Sequence, residues 1–216
     1  MDENFKLRAA LKSDEELYNY IDNREKYLPE SVEAALAELQ SRGAEFSDEE
    51  LKVIAEDMQA RRALTQAGSS GFSVFSGDWR NSQVEDAEAP SYFSKGSILL
   101  FSAIFNVLFG AILLAINLYK TSNKDKIILV LLYGLGFTIL TVYITTRFNI
   151  FFFPVVGGCI GAYYMELFFW DKYIGAATLY RPRPIWIPLL IGAIMIAVNV
   201  AMFFYGKEFL GSAFQK

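Results

Sequence analysis

Along the first 66 residues, apolar positions recur with the period of a helix. From residue 97 onward, polar positions thin out in four long stretches. In the first region, Leu17, Tyr20 and Ile21 fall on one helical face, and Val32, Ala35, Leu36 and Leu39 follow the i, i+3, i+4, i+7 spacing. Leu51, Ile54, Ala55 and Met58 make a third stripe. Two of these stripes are preceded by the same string, Ser13-Asp14-Glu15-Glu16 and Ser47-Asp48-Glu49-Glu50. Each fits a capping box, in which the serine accepts from a backbone N–H and the glutamate reaches back to the cap. Pro29 separates the first two helices, and Gly43 is placed to end the second. The pattern predicts a three-helix head over residues 1–66. The SDEEL string recurs after 34 residues, but the aromatic and small-residue signature of a tetratricopeptide repeat is missing. Two independent caps are the better account.

The four apolar stretches run over about 97–119, 126–145, 148–170 and 184–205, each near the ~20 residues that a helix needs to cross a bilayer. Tyr119, Tyr143, Trp170, Tyr173, Tyr180, Trp186 and Tyr205 lie at their ends, as interfacial aromatic belts do. Between head and stretches, residues 67–96 are rich in Ser, Gly and acidic residues without a sustained period, the composition of a flexible linker. The predicted fold class is therefore all-α: a polytopic membrane protein in which residues 97–216 form a four-helix transmembrane bundle behind a small soluble head. In the third stretch, Pro154 and Gly157-Gly158 favour a kinked or re-entrant helix.

Charge sharpens this division. Residues 1–95 carry 11 Lys and Arg against 20 Asp and Glu, a net of −9, whereas residues 96–216 carry 9 against 4, a net of +5. An acidic head excludes nucleic acid as a partner, since neutralising phosphates takes a basic patch. With no histidine and only Cys159, neither a transition-metal site nor an intrachain disulfide is expected, and no cofactor motif is present. A serine–histidine intramembrane protease is excluded on the same ground. The opening MDENFKLRAALKSDEEL has no apolar run of the signal-peptide kind.

Orientation divides two arguments. Four spans put both termini on one face. Lys120, Lys124, Lys126, Lys172, Arg181 and Arg183 flank the first and third loops, against Lys95, Arg147, Lys207 and Lys216 on the side of the termini. That count places the loops in the cytosol and the head outside. Moving a folded head across the bilayer without a signal peptide argues the reverse. The second argument prevails, giving a cytosolic head and C-terminus.

The candidate sites are few. Glu166 is the only acidic residue inside a predicted span, open to an ion or proton pathway or to an interfacial role paired with Lys172. Asn106, Asn117 and Asn199 can hydrogen-bond between helices or line a polar path. Gly157 and Gly161 carry the small-residue spacing that lets helices approach, within the bundle or between copies in a homo-oligomer. Arg181 and Arg183, set between prolines, can hold lipid phosphates. Phe72, Phe75 and Trp79 stand out in the linker as an interfacial anchor or a partner-docking motif.

The segments YLPESVEAALAELQSRG, FFFPVVGG and YRPRPIWIPLLIG resemble a group of uncharacterised small bacterial four-span membrane proteins with a short acidic helical module. The resemblance implies the same layout in a bacterial inner membrane and carries no activity. The functional expectation is a non-enzymatic accessory or scaffold protein whose acidic head binds a protein partner and whose bundle contacts membrane lipids. The alternative is a small channel or transporter subunit acting as an oligomer.

Overall fold

The computed structural model describes residues 3–67, 82–176 and 178–198, and what it describes is mostly helical. Phe72, Phe75, Trp79 and Asn199 lie outside the described residues. The chain divides into two units, residues 1–183 and 184–216. Within the second, helix Trp186–Val198 is described.

The head holds α1 (Glu3–Ala10), α2 (Asp14–Asp22), α3 (Pro29–Ser41) and α4 (Asp48–Ala67). Both capping boxes form: Glu16 N–H donates to Ser13 Oγ at 3.3 Å, and Glu50 N–H to Ser47 Oγ at 3.2 Å, with each glutamate accepting from its cap's backbone. Leu17, Tyr20, Ile21, Val32, Ala35, Leu39, Ile54 and Met58 make the core, as their spacing predicts. The head gains α1, whose Ala9 and Phe5 pack against that core. A helix of eight residues leaves little local signal in the sequence. Arg42 ties the end of α3 to the turn between α1 and α2, donating to Asp14, Glu38 and the carbonyls of Ala10 and Lys12.

The expected linker is not free throughout its length. Residues 82–94 run between the head and the helical domain, bonded to both. Glu85 N–H donates to Lys26 O, and the fully buried Asp86 carboxylate accepts from the N–H of Leu28 and of Glu88. Arg8 pairs with Glu88. On the other side, Val84 N–H donates to Tyr180 O, and β1 (Ser91–Tyr92) pairs in parallel with β2 (Arg181–Pro182), Ser91 opposite Arg181. These bonds are between positions distant in sequence, so linker composition gives no sign of them.

The first apolar stretch is two helices, not one. α5 (Lys95–Ile104) and α6 (Val107–Tyr119) fold back on each other through an extended Asn106. Phe101 stacks on Phe109 at 5.3 Å, a Cβ on Gly110 would lie 3.0 Å from Ile98 O, and Asn117 reaches Phe93 at the base. Asn106 makes the turn by accepting the Phe109 N–H at 2.9 Å, capping α6 in the middle of an apolar run. Helices of 10 and 13 residues reach roughly 15 and 20 Å, well short of a ~30 Å hydrocarbon layer.

α7 (Ile127–Phe148) is long and apolar enough to cross a membrane, and is the one such helix among the described residues. It ends at Asn149, in the left-handed conformation. α8 begins at Phe153 and runs without interruption to Gly175, α-helical to Met165 and π-helical over Glu166–Gly175. Pro154 sits in its first turn, where a missing N–H costs nothing, so the proline starts this helix instead of kinking it. The break in the helix falls on the first stretch and not the third.

Glycines set the spacing of these helices. A Cβ on Gly158 would strike the backbone of Ser102 and Ala103 on α5, and one on Gly161 would meet Val107 and Phe137. Gly157 faces Thr141 of α7. Gly136 has open space around it. Gly158→Ala should therefore cost about 1–3 kcal/mol in thermal unfolding of the purified protein, while Gly136→Ala leaves the midpoint unchanged.

Candidate functional site: a buried ion cluster at the base of the hairpin

Lys95, the first residue of α5, is 4% exposed although it carries a charge. Its Nζ lies 2.9 Å from Glu166 Oε1, 3.1 Å from Asp171 Oδ1 and 3.4 Å from Ala176 O. An ammonium has three hydrogens, and three acceptors take them. The Trp170 ring, with its centroid 5.7 Å away, faces the same charge. One cation thus meets two carboxylates in a place nearly closed to water, where a lone charge would be costly.

The helix geometry makes this convergence possible. On an α-helix, residues five apart point roughly 140° from each other. In the π-helical segment the i→i+5 pattern brings them onto one face, so Glu166 and Asp171 both reach Lys95. Ser94 caps α5 by accepting the Ser97 N–H at 3.1 Å and fixes the point at which Lys95 leaves the backbone. Trp170 continues into an aromatic wall with Tyr180 at 5.5 Å and Tyr92 at 6.2 Å. Burial pushes the Tyr180 phenol up to about 12 and raises that of Tyr92, so the wall is neutral at any ordinary pH. A cavity of about 10 Å³ lies between Lys95, Glu166, Leu114 and Met165, room for one water molecule.

The other expected residues fall elsewhere. Glu166 pairs with Lys95 and not with Lys172, which stands over the Tyr173 ring. Asn117, 1% exposed, accepts the Phe93 N–H at 2.8 Å and donates to Phe93 O at 2.9 Å, clamping the chain just ahead of α5. Asn106 is at the hairpin's far end, beside a cavity of about 210 Å³ lined also by Thr138, Thr141, Thr145 and Thr146. Thr141, Thr145 and Thr146 donate their hydroxyls to carbonyls of their own helix at 2.8–2.9 Å. Gly157 and Gly161 lie inside the bundle against α6 and α7. Arg181 and Arg183 sit on and beside β2. Among the described residues, no three His, Cys, Asp or Glu side chains gather as a metal site would need.

Sequence reasoning missed Lys95 and Asp171. Lys95 falls just outside the first apolar stretch, and Asp171 one residue beyond the third. Nothing local links positions more than seventy residues apart. Comparison with protein-family models, curated proteins and solved structures finds no match for the chain.

Saturated donors and near-complete burial make the cluster a lock between α5 and α8, with no free group for catalysis on Lys95. Lys95→Met strands two carboxylates and should lower stability by about 3–5 kcal/mol. Adding Glu166→Gln and Asp171→Asn to that variant should restore most of the loss in the same unfolding measurement. A single variant as stable as the parent would show that the pair contributes nothing.

Proposed function

We propose that this chain is a membrane-embedded accessory protein whose acidic head docks a basic, apolar segment of a partner protein at the cytosolic face. The observation that carries it is a groove on the head. Tyr18 and Val53, 41% and 49% exposed, flank an open space of about 330 Å³ between α2 and the start of α4. Ile21 and Ile54 form its floor, and Phe46 stands 6.2 Å from the Tyr18 ring. Asp22, Glu49 and Glu50 rim it. Arg24 lines it too, paired with Asp57 at 3.3 Å, so acidic side chains outnumber the single cation at the edge. An apolar slot with an acidic edge complements a helix that carries Lys or Arg beside its apolar stripe.

The membrane reading draws on where the apolar side chains point. On α7, Leu132, Ile139 and Val142 are 57–60% exposed, and on α8, Val155 and Phe168 are each 54% exposed. Small and polar residues, Ser102, Asn117, Thr141, Gly158 and Gly161, face inward. Only 17% of the most apolar part of the α7 helix is buried, whereas the core helix of a soluble protein would be mostly covered. An apolar surface of this extent matches a bilayer.

The hairpin changes the charge count within residues 95–183: because α5 and α6 return to their starting face, Lys95 joins Lys120, Lys124, Lys126, Lys172, Arg181 and Arg183 at one end of the helices, against Arg147 at the far end of α7. The positive-inside tendency and the difficulty of translocating the head then agree on a cytosolic head.

Two measurements test this reading. A photocrosslinker at Val53 of the full chain, in its native membrane, should capture one partner through a peptide with Lys or Arg beside apolar residues. Asp22→Lys with Glu49→Lys should cut that adduct about fivefold or more. No adduct, or one indifferent to charge reversal, would end the docking idea. For topology, in a Cys159→Ser background, an impermeant maleimide on intact cells should label Arg147→Cys and leave Lys124→Cys unlabelled. Labelling of both would mean that α7 does not cross.

A further inference from the structure

We infer that Lys120, Arg181 and Arg183 form a binding site for the phosphate of an anionic phospholipid, an inference that rests on the membrane reading above. Three separate constraints bring these cations together. The parallel pairing of β1 and β2 sets Arg181 opposite Ser91, and Arg183 N–H donates to Tyr92 O at 2.8 Å. Residues two apart on an extended strand point to the same face, so both arginines leave β2 in one direction. Lys120, at the end of α6, donates to Ser91 O at 3.0 Å and so stands beside the same ribbon. Asn117 fixes that helix end by its two bonds to Phe93. The Arg183 guanidinium lies 5.1 Å over the Phe93 ring, which holds its plane.

The cluster has no internal counter-charge. Among the described residues none of the three cations belongs to an ion pair, and the nearby carboxylates are committed: Glu166 and Asp171 to Lys95, Asp125 to Lys126. The crowding is felt. Partial burial, and after it the charges of Arg183 and Arg181, lower the pKa of Lys120. Like charges held together in this way are relieved by an anion, and guanidinium forks fit phosphate oxygens in a planar, two-point manner.

The position selects a lipid over a free phosphate. The ribbon lies at the base of the hairpin, where α5 begins and α6 ends, and the ends of apolar helices are the level at which headgroup phosphates stand. Arg181-Pro182-Arg183-Pro184 also opens directly into the last apolar helix.

The test is lipid retention. The full chain is reconstituted in vesicles of equal phosphatidylglycerol and phosphatidylcholine, extracted gently, and weighed with its bound lipid by native mass spectrometry. Phosphatidylglycerol should be retained about tenfold over phosphatidylcholine, in line with the attraction that cations exert at a lipid surface. Lys120→Gln with Arg181→Gln and Arg183→Gln should abolish that preference, with thermal unfolding in phosphatidylcholine unchanged. Lys124→Gln with Lys126→Gln should keep it. Equal retention of the two lipids, or a preference that survives the triple variant, overturns the site. Displacement of the lipid by inorganic phosphate would identify a free anion as the ligand and overturn the lipid assignment. Release of the chain from vesicles by alkaline carbonate would instead be a failure of the membrane reading itself.

Discussion

The Lys95 ammonium, closed in by Glu166, Asp171, Ala176 O and the Trp170 ring, is the contact on which the arrangement of residues 91–183 turns. It joins the start of the hairpin to the π-helical end of α8. A buried charge tolerates few geometries, because each missing partner leaves a group that neither water nor protein satisfies. The cluster therefore fixes where the hairpin begins, and Asn117 then fixes where it ends. With its base held at both points, the hairpin tip is free to be short and apolar, shaped by stacked Phe101, Phe105 and Phe109.

From this base the connection to the head follows. The chain entering α5 is the strand that pairs with β2, and the residues before it accept from and donate to the head at Lys26 and Leu28. The buried Asp86 carboxylate satisfies the Leu28 N–H ahead of Pro29, at a helix start with no side-chain cap of its own. Head and helical domain thus share one run of backbone, residues 82–94, in place of a slack tether.

Glycines and single polar side chains sit at the closest helix contacts beside buried Leu113, Leu114, Leu118 and Met165, while many large aliphatic residues of α7 and α8 face outward. The close approach at Gly158 and Gly161 provides dispersion contacts and carbonyl proximity where a hydrophobic driving force between helices would be absent. The cations, meanwhile, collect on the face of the ribbon, where Lys120, Arg181 and Arg183 are left for an external anion after the carboxylates have been used inside.

Much of the head was legible in the sequence. Its capping boxes and most core residues of its three amphipathic stripes are local features, set by residues three or four positions apart, and the structure forms them, although Ala55 of the third stripe is exposed. The all-helical class and the apolar character of residues beyond 97 were equally local. The hairpin was not, because an apolar run of 23 residues has the composition of a single span, and one asparagine within it decides the turn only when Phe93 and Asn117 close the base. The ion cluster was not, because it needs a π-helical register that aligns Glu166 with Asp171 and a lysine brought from 71 residues away. Patterning along the chain determines which segments bury a face and how they are capped. Which charges meet, where the chain turns back and which backbone strands pair depend on distant groups satisfying one another, and only the tertiary structure decides those.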